Sequence, residues 1–194
     1  MDRLPVELLG TLVAGASTVV EISCASAQNS CVSTKSAPVL DRLDHKLLAL
    51  LQADSGRTLE ELGDTVGLSP SAVQRRIARY RADGLLLRQI AVLDPGRLDG
   101  VVLAAVFVML EQESVALHRA FKDRMRAAPE VQQCYDLAGS RDYLVILAVT
   151  GMRACREAVD RLFMTDPNIK RFDTHFVFDA VKTGLALPTA GAQG

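Results

Sequence analysis

The chain has 194 residues, 49% of them hydrophobic, with 22 basic and 23 acidic side chains and a net charge of −1. That length allows one large domain or two small ones, and the apolar fraction sustains a packed core. A pI near 6.3 excludes a chain coated in positive charge for indiscriminate nucleic-acid binding, although a local basic face suffices for DNA.

Residues 1–39 are small, rich in Ser and Ala, and aperiodic, and they end in the linker-like run Ser33-Thr34-Lys35-Ser36-Ala37-Pro38. Leu8 to Val20 is mildly apolar and Ala25-Ser26-Ala27 resembles a signal-peptidase site, but Asp2, Glu7 and Glu21 spoil the positive flank that a leader needs. The segment reads as a non-core extension. No stretch is long and apolar enough for a membrane span, so no membrane partner is expected. Cys24, Cys31, Cys134 and Cys155 form no CxxC pair and no Cys/His cluster with zinc spacing, so they read as cytosolic thiols, with no metal site and no cofactor.

Residues 40–100 read as three helices and an apolar connection. Leu43, Leu47, Leu50 and Leu51 recur at helical spacing, so 41–52 is an amphipathic helix, capped by Asp41 or Asp44 and ended at Asp54-Ser55-Gly56. Thr58 and Glu61 form a capping box for a short second helix, with Leu59, Leu62 and Val66 inward and Gly67 at its end. Ser69 caps a third helix and Pro70 takes its first position, where a missing N–H costs nothing. Val73, Ile77 and Tyr80 point inward, and Gly84 ends this helix.

Two helices joined by a short glycine-containing turn make a helix-turn-helix, whose second helix enters the major groove of double-stranded DNA. Between Ser69 and Arg88 there are five arginines and one acidic residue, Asp83, a basic stripe that the whole-chain charge hides. The DNA-contacting candidates are Ser69, Ser71, Gln74, Arg75, Arg76 and Arg79. Arginine suits guanine edges, glutamine suits adenine, and serine reaches bases or phosphates. Leu85 to Leu93 is apolar and β-compatible, either a wing or a strand leading onward, and Asp94-Pro95-Gly96 stops it.

Residues 101–184 alternate strand and helix patterns. Val101–Leu110 is a buried strand, Ser114–Ala128 a helix carrying Leu117, Phe121 and Met125, and Val131–Ala138 a strand. Gly139-Ser140-Arg141-Asp142 is a turn, Tyr143–Thr150 a strand, Met152–Met164 a helix and Ile169–Phe178 a last strand. The fold class is therefore α+β, an N-terminal winged helix-turn-helix followed by a ferredoxin-like βαββαβ domain, with a flexible tail at 185–194. A sheet covered by helices on one face leaves the other face free to pair with a second copy, so at least a homodimer is expected.

Over residues 40–184 the sequence resembles the Lrp/AsnC family of regulators. The stretches that carry the likeness are LDRLDHKLLALLQADSGRTLEELGDTVGLSPSAVQRRIARYRADGLL, LDPGRLDG, PEVQQCYDLAGSRDYLVILAV and THFVFDAVK. The resemblance implies a transcriptional regulator in the cytoplasm, associated with the nucleoid, that dimerises through the sheet domain, often assembles into octamers and binds an amino-acid effector. The family's glycine-x-x-aspartate turn matches Gly139 and Asp142, with Arg141 standing where members often carry an aromatic residue. Asp142 suits an α-ammonium and Thr174 a carboxylate. The same turn is also read as a hairpin with a capping aspartate. Two alternatives are an architectural DNA-binding protein without effector and a tetrapyrrole decarboxylase-like enzyme. Of His45, His118 and His175 only His175 could line an enzyme site, and no nucleophile–base pair accompanies it, so no catalytic residue is assigned.

Overall fold

A computed structural model describes residues 38–189; the leader-like site, Cys24, Cys31 and all but the last two residues of the expected N-terminal extension lie outside the described residues. The elements are α1 (Arg42–Ala53), α2 (Leu59–Val66), α3 (Pro70–Ala82), β1 (Val101–Leu110), α4 (Val115–Ala127), β2 (Val131–Asp136), β3 (Tyr143–Thr150), α5 (Gly151–Val159) and β4 (Ile169–Phe176).

Local chemistry sets the three N-terminal helices. Asp41 caps α1 in a reciprocal box with Asp44, and Thr58 caps α2 in the same way with Glu61. The left-handed Gly67 (φ 74°) ends α2. Gly63 has a different role: a Cβ there would lie 2.4 Å from the Leu68 carbonyl oxygen, and this missing side chain lets the chain fold back tightly between α2 and α3. Leu47, Leu48, Leu51, Leu62, Val66, Val73, Ile77 and Tyr80 close one small core around that turn.

The four strands form an antiparallel sheet in the order β2-β3-β1-β4. With α4 and α5 this is the βαββαβ arrangement expected. Alternation sorts the faces. Ala104, Val106, Val108 and Leu110 of β1 and Tyr143, Val145, Leu147 and Val149 of β3 are buried with Phe121, Met125, Cys155, Leu162 and Phe163 of the helical layer. On the opposite face Leu103, Ala105, Phe107, Met109, Leu144, Ile146 and Ala148 are only half-buried. Helix α5 runs on as a π-helical turn, Asp160–Met164, before β4.

The expected wing is corrected. Residues 85–94 form no strand and pair with none of the four strands of the sheet; Leu87, Ile90, Val92 and Leu93 are exposed, and Pro95–Arg97 is a short 3-10 turn. The domain is a helix-turn-helix followed by an irregular connection. The tail also departs from a free end: the Gln52 amide pairs with both backbone groups of Leu187, at 2.7 and 3.0 Å.

Candidate nucleic-acid interface and effector turn

The recognition helix α3 starts where its caps place it. Ser69 Oγ accepts the Ala72 N–H at 3.4 Å and lies 3.2 Å from Ser71 Oγ. From this start, Ser71, Gln74 and Arg75 project into solvent, while Val73, Ile77 and Tyr80 anchor the opposite side. No carboxylate holds Arg75 among the described residues.

Arg76 and Arg79 behave differently. Arg76 Nη1 donates to Asp44 Oδ1 at 2.5 Å and to Asp41 Oδ2 at 2.8 Å, and its side chain is only 20% exposed. Arg79 Nη2 lies 2.7 Å from the same Asp44 oxygen, with 46% of its side chain exposed. The Tyr80 hydroxyl donates to Asp44 Oδ1 at 2.5 Å, and the Asp41 N–H donates to Oδ2 at 3.0 Å. Asp44, the one buried charged residue of the described chain, thus ties α1 to α3. Burial pulls its carboxyl upward, but the hydrogen bonds from Tyr80, the Asp41 backbone, Arg76 and Arg79 outweigh this and hold it well below the usual carboxylate range. Burial and the Asp44 charge push the Tyr80 phenol up. The basic stripe therefore divides: Arg76 belongs to the domain's internal tie, Arg79 is half-committed to it, and Arg75 is free.

In the sheet domain, Gly139 (φ 156°) and its neighbours form the β2–β3 turn beside the end of β1. Asp142 is stitched into that end: its N–H donates to the Val108 carbonyl at 2.9 Å and its Oδ2 accepts the Leu110 N–H at 2.6 Å. Arg141 Nη2 donates to Asp173 Oδ2 at 2.8 Å, and Arg171 donates to Asp173 Oδ1 at 2.9 and 3.1 Å. Arg171 first, then Arg141, lowers the Asp173 carboxyl. Asp173 pairs in register with Phe107 on the half-buried face of the sheet. Thr174 pairs with Val106 instead, so it lies on the helix-covered face and away from the turn. The structure thus brings Gly139, Arg141 and Asp142 together and leaves Thr174 apart. It adds Arg171 and Asp173, which sequence reading missed although the i, i+2 spacing of Arg171, Asp173 and His175 marks one face of a strand.

Two of the three histidines have local side-chain partners. His118 Nδ1 lies 2.5 Å from the Tyr143 hydroxyl oxygen, and His175 packs edge-on against Phe107 at 5.7 Å. No group of three or more metal-ligating side chains occurs among the described residues.

Comparison with known proteins accounts for both halves. Residues 40–81 match the AsnC-type helix-turn-helix domain, and residues 103–187 match the Lrp/AsnC ligand binding domain. An uncharacterised HTH-type transcriptional regulator of Sinorhizobium fredii is 36% identical over 149 residues, covering 77% of this chain and 88% of that protein. The DNA-binding transcriptional activator DecR of Escherichia coli is 31% identical over 150 residues, covering 77% of this chain and 99% of that one. A transcriptional regulator from Neisseria meningitidis, solved as a complex with L-Met, aligns with a TM-score of 0.68 at 29% identity, covering 77% of this chain and 97% of that one. An AsnC-type helix-turn-helix followed by an Lrp/AsnC ligand binding domain accounts for most of the described residues, and the chain belongs to the Lrp/AsnC family of DNA-binding transcriptional regulators.

Proposed function

We propose that Ser71, Gln74 and Arg75 read base edges in the major groove of double-stranded DNA, while Ser69 and Arg79 meet phosphates and Arg76 holds the helix in place. The observation that carries this division is the shared occupation of Asp44 by Arg76 and Arg79, which leaves Arg75 as the unengaged guanidinium near the start of α3. Arg75 suits a guanine and Gln74 an adenine. Binding to a specific site compared with random DNA across a salt series tests it, since phosphate contacts set the salt slope and base contacts set the ratio.

The second part of the proposal is an amino-acid effector at the turn. The free Oδ1 of Asp142 suits an α-ammonium, and Gly139 leaves the backbone open to a ligand. Arg141 takes the carboxylate role first expected of Thr174, exchanging its partner Asp173 for the ligand. The L-Met complex of the Neisseria regulator supports an amino acid as the ligand class. No catalytic step belongs to this reading. The half-buried apolar face around Phe107, Leu144 and Ile146 supports a homodimer, the unit from which an octamer is built. A thermal-shift screen of the twenty amino acids tests the effector, because a ligand of the native state raises the melting temperature.

A further inference from the structure

The segment after β4 returns to the DNA-binding domain. The Leu187 N–H donates to Gln52 Oε1 at 2.7 Å, and Gln52 Nε2 donates to the Leu187 carbonyl at 3.0 Å. Two residues on, Thr189 Oγ1 donates to the His45 carbonyl at 3.3 Å. His45 and Gln52 are seven residues apart, two turns of α1, so they share one face. Ala49 lies between them on that face and is small enough to let a backbone pass. A side-chain amide that satisfies both backbone groups of one residue imitates a strand pairing. Pro188 suits the site as well, since it carries no N–H to satisfy and keeps Leu187 extended.

The contact is polar, exposed at Leu187 and part-buried at Thr189. Leu185 and Leu187 are 60% and 73% exposed, so little apolar burial fixes the tail. Exposed hydrogen bonds exchange with water at small net gain, and a tie built from them opens and closes readily. Its anchor is well placed, because α1 also carries Asp44 and is capped by Asp41, and these two carboxylates hold Arg76 and Arg79 of the recognition helix.

We propose that residues 185–189 are a strap that docks on the His45–Gln52 face of α1, giving the sheet domain a second hold on the DNA-binding domain besides the connection at 83–100. The path runs from β4 through the tail to α1, and from α1 through Asp44 to α3. A docked strap orients the recognition helix before DNA arrives, and its release frees the domain to swing on its connection.

The test uses the full-length protein, Gln52→Ala, a chain stopped after Gly184, and the two changes combined. Gln52 is exposed and outside both cores, so Gln52→Ala leaves the fold intact, which circular dichroism checks. Hydrogen exchange of the tail peptide should be measurably slower at the Leu187 amide in the wild type than in Gln52→Ala. Each single change should weaken DNA binding about fivefold, the equivalent of one hydrogen bond, and the combination should weaken it no further. Unchanged exchange in Gln52→Ala, unchanged DNA affinity in either variant, or additive effects in the combination would each overturn the proposal.

Discussion

The Tyr80 hydroxyl donates to Asp44 Oδ1 at 2.5 Å across the interface of α1 and α3. Two arginines converge on the same oxygen, so one buried carboxylate fixes the recognition helix against the helix that supports it. This arrangement separates residues that hold the DNA-binding domain together from residues that face DNA.

Removing the carboxylate takes from Arg76, Arg79 and Tyr80 the acceptor they share, and leaves Arg76 with Asp41 alone. Asp44→Ala should destabilise the domain by about 3 kcal/mol, the lower end for breaking a buried ion pair because Arg79 stays partly solvated. Tyr80→Phe removes one donor and should cost about 1 kcal/mol. Urea denaturation of each full-length variant reads both values, and equal losses would contradict the central place given to Asp44.

The same group sets an acid limit. Its folded carboxyl titrates below the ordinary value of 3.8, so the folded state binds fewer protons than the unfolded chain in that range. The stabilisation is complete above pH 3.8 and is lost as the pH falls through the lower folded value. Asp44→Asn should therefore show a shallower loss of stability below pH 4 than the wild type, measured by denaturation midpoints at stepped pH. Parallel profiles would assign the acid loss to other carboxylates.

Neighbouring arginines should separate cleanly. Arg75→Ala should fold with unchanged stability and lose roughly 1–3 kcal/mol of specific DNA binding. Arg76→Ala should lower the melting temperature, because it leaves Asp44 and Asp41 short of a partner. A stable Arg76→Ala with a selective defect in base discrimination would reverse the two roles.

At Gly63 two effects compete. An alanine in an open helix position gains up to about 1 kcal/mol over glycine. Here its Cβ would meet the Leu68 carbonyl oxygen at 2.4 Å, a backbone atom that cannot swing aside. The clash dominates, so Gly63→Ala should destabilise by about 1–3 kcal/mol, and a calorimetric melting temperature at or above wild type would refute the tight turn.

Much of the DNA-binding domain was legible because its signals are local. The Thr58–Glu61 box, Gly67 and the Ser69-Pro70 start lie within a few residues of the structure they cause, and each is observed. The pairing of Asp44 with Arg76 was hidden, since 32 residues separate them and only the packing of α1 on α3 brings them together. The wing failed for a related reason: β-compatible residues at 85–93 need a partner strand, and composition does not supply one. Thr174 was misjoined to the turn because a strand's faces alternate. Counted in the register of β1 and β4, it falls on the Val106 side, one residue from the Asp173 that reaches Arg141.

The most direct measurement is the ratio of specific to random-sequence DNA affinity for wild type, Gln74→Ala and Arg75→Ala at one fixed salt concentration. If these side chains read bases, both variants bind the specific site more weakly while random-sequence affinity stays close to wild type, and each substitution lowers the ratio by about tenfold. A ratio unchanged in both variants would contradict base reading by this face of α3.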